Sequence, residues 1–543
     1  AHRREYMRFI ARIFAFCIFT AGIATAQQYD VSLEKKSNYN NWGTSWDSVV
    51  VLKNGIITLA AVPKIGGRVM QYDLGTHPSI YIHESMKGKN VTTGDSMIGG
   101  FRQLPSPQSD FQWPSPPKVD FGAYTCTVLQ NNADSAVISL LSPIEDSNLD
   151  KYKTHKGLQF KRDITLYKAS SHVKVVMTMY NRGQQSMTHG IWDITQSACS
   201  NNNEADLDNF LVYFQRYEQS TLGGNKGYVQ YKNEGTGAGA QWIPDAAPGN
   251  IMGIQFKKLR GKIGADCRAG WICFNDRYDA YAYVKTFTYA TGKNYPDSGA
   301  SVQVYTYPNM NMLEVEVLGP LTTIAPGDSV TLEENWYAAR SNGPVLAINA
   351  AGLTTKKMTV GQSNDSLAVN GTFGVFYQGY VKMQFCDASK TVVSTVDSVP
   401  VTPTDSFYVN KKLKIPAGAA YVYLTAFDSK GTAVGILDSA AVPSPLSNGK
   451  GLQPQVSSIT AHSITAQVEN SAIMINVSYK GTYRITLHTI DGKQTGCRTI
   501  KAPCRFAMKH GKLTGNVVII MVNGKGVNES KRLIVSRMQD LSR

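Results

Sequence analysis

Beyond its first 28 residues the chain has no apolar run approaching the roughly 18 residues that a membrane-spanning helix needs. No window of about a dozen residues keeps a helical period between capping residues, so no long helix is expected. Acidic residues are scarce relative to basic ones, 40 against 55 in a chain of 543. Cysteine is sparse, at eight. There is no G-x-S-x-G, no H-E-x-x-H, no P-loop and no dinucleotide fingerprint. Serine-hydrolase, metalloprotease and nucleotide-dependent chemistry therefore find no support.

What is present suits an exported globular protein. Apolar content of 42% with 17% charged residues argues against extensive disorder. Glycine (47) and tyrosine (28), with much Ser, Thr, Val and Asn, favour strands and turns. Met7-Arg8 and Arg12 form a positive patch, Ile13 to Ile23 a short apolar run, and Ala24-Thr25-Ala26 an A-x-A site. This reads as a leader and signal peptide over residues 1–28, cut before Gln27, with Ala1 to Tyr6 ahead of the start at Met7. The mature chain is expected outside the cell or at its surface.

Export permits disulfides. With Cys17 lost in the leader, the close pairs Cys267/Cys273 and Cys497/Cys504 could each close a small loop. An odd count of seven leaves at least one thiol over. Neither pair has C-x₂-C spacing or a nearby His, so no metal site is expected, and no cofactor. Between Gly451 and Arg543 there are 13 Lys/Arg against 4 Asp/Glu. Nucleic-acid binding is one reading of such a basic segment, but an exported protein meets acidic surface polymers rather than nucleic acid. A solvated basic face is the plain alternative.

The expected fold class is all-β, in three segments. Residues 29–341 hold many short strands, among them Ile56 to Val62, Val173 to Met179, Val302 to Tyr307 and Leu313 to Leu318, parted by turns such as Lys53-Asn54-Gly55. Residues 344–442 have the length and strand content of an immunoglobulin-like sandwich. A Pro/Gly/Ser linker, 443–451, leads to a small basic β domain over 452–543. There Gly481-Thr-Tyr483, Asp491-Gly492-Lys493, Val517 to Val522, Asn523-Gly524 and Lys531 to Val535 resemble the sorting tail of type IX secretion substrates. That resemblance implies surface delivery or attachment.

Three pieces of the first segment bear on chemistry. One is Val62-Pro-Lys-Ile-Gly66-Gly67-Arg68-Val69. The second is Asn181 to Gln196, with Thr188, His189 and Trp192. The third is Met312 to Asp328, with Glu314 and a closing Ala325-Pro-Gly-Asp328 turn, followed by Glu333-Glu-Asn-Trp336-Tyr337. In this order they resemble the galactose-mutarotase-like superfamily, most of all its secreted bacterial members. The resemblance implies a large antiparallel supersandwich with a concave sugar site, with Glu314 as general base and His189 as general acid. Ring opening of an aldose needs one base at the anomeric hydroxyl and one acid at the ring oxygen, on opposite sides of the sugar. The family's second His is missing from its expected place near Ile98 to Arg102, which weakens turnover and leaves binding intact.

The stretch Gly99 to Pro117 is rich in Pro and aromatic residues. A stiffened loop could hold Trp113 flat as a sugar-stacking platform, with Arg102, Gln108 and Asp110 bonding hydroxyls. Arg68 offers a rigid fork of donors beside two glycines, and Asp276 is placed on the same rim. The bland readings stand beside these: His189 as a bonded core His, Glu314 and Glu316 as a wet acidic face, Trp113 as loop packing, and Asp276 as a turn residue. The favoured function is recognition of an oligo- or polysaccharide. A carbohydrate-active enzyme using Glu314 and His189, as an aldose epimerase or another acid-base enzyme, is the alternative. A structural surface protein without ligand is the third.

Overall fold

The computed structural model describes residues 29–443, save 45, 92–96, 201–203, 234–240 and 364, together with the strands Ile464–Glu469, Ala472–Thr489, Gln494–Lys509, Val517–Gly524 and Val527–Ile534. The chain divides into two compact units, Ala1–Pro445 and Leu446–Arg543. The protein is all-β. Among the described residues, helical pieces are no longer than the six-residue turn Asp150–His155.

Two large antiparallel sheets, of eleven and ten strands, dominate the first unit. Their inner faces share one apolar core, to which Leu59, Phe101, Val315 and Val317 contribute from the first sheet and Phe160, Val175, Phe274 and Val284 from the second. Strand alternation follows from the period-2 geometry of the chain. In Met312–Leu318, Leu313, Val315 and Val317 point into this core, and Glu314 and Glu316 point the other way. The neighbouring strand Met187–Ala198 behaves likewise: Ile191 and Thr195 face the second sheet, Trp192 and Ile194 the outer side.

Residues 347–441 form two four-stranded sheets closed on their own core of Leu367, Val381, Phe385 and Leu424. This second sandwich is joined to the first. Phe376 stacks on Tyr337 at 4.3 Å and is fully buried, and Ser171 N–H donates to the Phe376 carbonyl at 2.9 Å. In the second unit, five strands make one antiparallel sheet in which Val517–Gly524 lies between Ala472–Thr489 and Val527–Ile534. The Asp491-Gly492-Lys493 turn and the linker from 444 onward lie outside the described residues.

Neither expected disulfide fits. Cys267 and Cys273 are unbridged and buried, their thiols donating to the carbonyls of Trp271 (3.2 Å) and Phe274 (3.4 Å). Burial pushes the Cys267 thiol up to about 11, far from the reactive thiolate range. Cys497 and Cys504 both lie in the single strand Gln494–Lys509. Seven residues of extended chain separate them by roughly 23 Å, beyond any disulfide.

Candidate functional site

The outer face of the eleven-stranded sheet floors a cleft of about 870 Å³. Strand register sets the floor row by row. Lys262, Tyr305, Glu314 and Gln196 lie directly across from one another on four adjacent strands. The next row is Gln303, Glu316, Ile194 and Arg102. Since every second residue shares a face, four sequence-distant strands deliver one polar patch.

Both acidic side chains are buried rather than wet, packed beside Trp192, Gln196 and Lys262 of neighbouring strands. Glu314 is 5% exposed and accepts from Gln196 Nε2 at 2.7 Å. Glu316 is sealed beneath, accepting from Trp192 Nε1 at 2.7 Å and facing Lys262 Nζ at 3.2 Å. Burial pushes the Glu316 carboxyl up to about 7, with the charge of Glu314 adding to the rise and Lys262 opposing it. Lys262 Nζ also sits 4.4 Å from the Trp192 ring, so this indole is clamped from two sides.

The Pro-rich loop forms one wall. Trp113 is half-buried against Leu104, Trp192 and Phe111, and its ring rests 4.9 Å from the Arg102 guanidinium. Arg102 Nη1 is held by Asp120 Oδ2 at 3.1 Å. The loop is pinned from outside as well: Tyr152 OH donates to the Pro114 carbonyl at 2.8 Å, and Lys151 Nζ donates to the carbonyls of Gln112 (3.2 Å) and Pro114 (3.1 Å). Platform and packing are thus the same arrangement: Trp113 is anchored in its loop and also lines the cleft.

Arg102, Gln108, Trp113, Trp192 and Glu314 therefore meet at one cleft. The other expected site residues lie elsewhere. Arg68 is 1% exposed and bonds Asp120 Oδ1 at 2.7 Å and the Gly99 carbonyl at 3.1 Å; burial lowers it to about 10, and no ligand can reach it. The glycines before it serve the same packing. Gly66 has φ +68°, and a Cβ there would lie 1.9 Å from the Asp120 carbonyl oxygen. Close backbone approach is required at this point, but to the protein's own chain rather than to a sugar.

His189 and Asp110 face a second depression of about 810 Å³. His189 is stacked on His155 (4.5 Å between rings), its Nε2 lies 3.1 Å from the Thr154 carbonyl, and its Nδ1 lies 3.7 Å from Asp110. Glu314 is opposite Gln196, seven residues further along the His189 strand, so the expected acid and base are separated by roughly 23 Å. They cannot work on opposite sides of one pyranose. Asp276 belongs to the ten-stranded sheet, where its Oδ1 accepts from the Tyr278 and Asp279 amides and its Oδ2 lies 3.2 Å from His77 Nε2. His77, Asp276 and Asp279 could offer one nitrogen and two oxygens to a cation, all within 4.8 Å of one another. Here they bond each other, and His77 Nδ1 has no hydrogen-bond partner to orient the ring as metal-bound imidazoles require.

Sequence reasoning passed over Gln196, Lys262, Tyr305 and Tyr307. The signal for them is alternation: Tyr305 shares the polar face of Val302–Thr306 with Gln303, and Lys262 lies on that of Gly261–Ala265. Only the pairing of Gly261–Ala265 with Val302–Thr306, and of that strand with Met312–Leu318, reveals that the face is shared.

Comparison with family models finds no match, and comparison with curated proteins finds none. Among solved structures, neighbours include galactose mutarotase-like proteins. A galactose mutarotase-like protein from Clostridium acetobutylicum is 11% identical, with 57% of this chain and 99% of that one covered and a TM-score of 0.36. A galactose mutarotase related enzyme from Lactobacillus acidophilus is 10% identical, with 55% and 100% covered and a TM-score of 0.34. A galactose mutarotase-like protein from Lactobacillus casei is 9% identical, with 54% and 100% covered and a TM-score of 0.34. Likeness at this level transfers neither activity nor residue roles, so function is argued from the cleft itself.

Proposed function

We infer that the cleft is a carbohydrate-recognition site and that the protein binds an oligo- or polysaccharide. The observation that carries this reading is the meeting of a pinned, half-buried Trp113 with Glu314, Gln108 and Arg102 in one open cleft. A sugar has apolar C–H faces and a rim of hydroxyls. A flat aromatic wall takes the first, and convergent carboxylate, amide and guanidinium groups take the second. Pinning the loop lowers the ordering cost of binding.

Binding is favoured over turnover because the expected acid, His189, is absent from this cleft and Glu316 is sealed from any ligand. The reading extends to place. The leader-like start and the sorting-tail-like end support delivery outside the cell and attachment through residues 452–543. Mass mapping of the N-terminal peptide of protein recovered from the medium or cell surface should show it beginning at Gln27, as glutamine or as its cyclised pyroglutamyl form.

Affinity electrophoresis against a panel of neutral and acidic polysaccharides tests the function. Retardation by at least one polymer, removed by Trp113→Ala, is expected. Accelerated mutarotation of fresh α-anomers, abolished by Glu314→Gln, would establish the enzymatic reading instead. Neither retardation nor turnover would leave a structural surface protein.

A further inference from the structure

Behind the cleft, between the two large sheets, lies a group of ionisable side chains that the sugar site does not use. Lys285 projects from the strand Tyr281–Phe287 of the ten-stranded sheet, and Asp193 from Met187–Ala198 of the eleven-stranded sheet. Lys285 Nζ bonds Asp193 Oδ2 and donates to the Val315 carbonyl at 3.1 Å. Glu334, on Ser329–Arg340, places Oε2 at 3.9 Å from the same nitrogen. The side chains of Lys285, Asp193 and Glu334 are each fully buried. Phe101 and Trp336 wall the amine, with ring centroids at 5.4 and 5.9 Å.

We propose that Lys285 and Asp193 condense to an intramolecular amide, with Glu334 as the proton carrier, so that a covalent bond joins the two sheets. Two carboxyls and one amine packed together out of bulk solvent carry a high desolvation cost. Burial, followed by the nearby charge of Glu334, raises the Asp193 carboxyl well above its ordinary range and favours the acid form that condensation needs. One proton passed from Lys285 Nζ to Asp193 Oδ2 frees the amine lone pair and leaves Asp193 as the carboxylic acid, with Glu334 still a carboxylate.

The amine attacks Cγ of Asp193, and the Nζ–Cγ bond forms. Asp193 Oδ1 accepts the Val317 amide N–H at 2.6 Å, which polarises the carbonyl and holds the charge of the tetrahedral intermediate. Glu334 takes a proton from the nitrogen and returns it to Oδ2. The Cγ–Oδ2 bond breaks and one water leaves. Carboxylic acid plus amine gives amide plus water, with no oxidant or reductant, and Glu334 ends as it began. Trp336 Nε1 donates to Glu334 Oε2 at 3.0 Å and keeps this carboxyl in place. The fold supplies what the reaction lacks in solution: permanent proximity and exclusion of water. The product also removes a buried ion pair and leaves a neutral amide whose carbonyl keeps its donor.

Intact mass and tryptic mapping of the purified full chain test the proposal. The wild type should be lighter than its sequence by one water. Lys285 should resist trypsin, and the peptide Gly183–Arg216 should appear joined to Tyr278–Lys293. Lys285→Met and Glu334→Gln should each restore the full mass and separate the peptides. Separate, unmodified peptides from folded wild-type protein would overturn the proposal whether or not the variants fold. A cross-link persisting in Glu334→Gln would overturn the role given to Glu334.

Discussion

Trp113 and Glu316 are the two residues whose surroundings make the sharpest demands. Trp113 lines the cleft while Arg102 and the Leu104–Trp192 cluster hold it in place. Removing such an anchor typically costs about 2 kcal/mol of binding, or roughly 30-fold in affinity. Trp113→Ala should weaken polysaccharide binding to that extent in calorimetric titration while circular dichroism stays unchanged. Glu316 makes a stability prediction. Its folded-state value of about 7 exceeds the ordinary 4.5. Between those pH values the folded protein binds more protons than the unfolded chain, so this group's contribution to stability declines as pH rises from 4.5 to 7. Glu316→Gln removes that slope. The stability of the variant relative to wild type should grow across this window, by at most about 3 kcal/mol, and level off above it, as read by urea unfolding at a series of pH values. A flat difference would contradict the burial assigned to this carboxyl.

At the scale of single elements, alternation was the readable part. The pattern Leu-Glu-Val-Glu-Val in Met312–Leu318 announces a strand with one apolar and one polar face, and the fold uses it so. What the polar face meets could not be read, because it depends on strands paired across more than a hundred residues, as Glu314 is with Gln196. The same limit explains His189. Its Thr-x-His-x-aromatic setting is local, but its distance from Glu314 is fixed by register, and register places them seven residues apart along the strand. Gly66-Gly67-Arg68 shows a second kind of ambiguity. Sequence reveals that a positive-φ turn brings backbone close to something; only the structure shows that this is the Asp120 segment. Gly66→Ala should therefore cost stability, not binding alone. The strained φ and the clash with a backbone oxygen together should lower stability by about 3 kcal/mol or more in denaturant titration, and near-neutral behaviour would refute the close approach.

For the molecule as a whole, the all-β class and the lack of long helices were legible from composition and turn spacing. The joining of the two sandwiches was not. Phe376 follows a strand of the second sandwich, yet it is buried in the core of the first, against Tyr337. Residues 29–443 should accordingly unfold in one transition, and Phe376→Ala should lower the midpoint seen by probes in both sandwiches, by about 3–5 kcal/mol in stability. Two separate transitions in the wild type would show that the junction is weaker than its packing indicates.

The cleft stands at the centre of this account, and a crystal structure with the polysaccharide fragment of highest affinity examines it most directly. The account predicts a pyranose ring lying over Trp113, with hydroxyls bonded to Glu314 and Gln108 and none to His189. Sugar density confined to the His189–Asp110 depression, or to the second sandwich with the cleft empty, would contradict it.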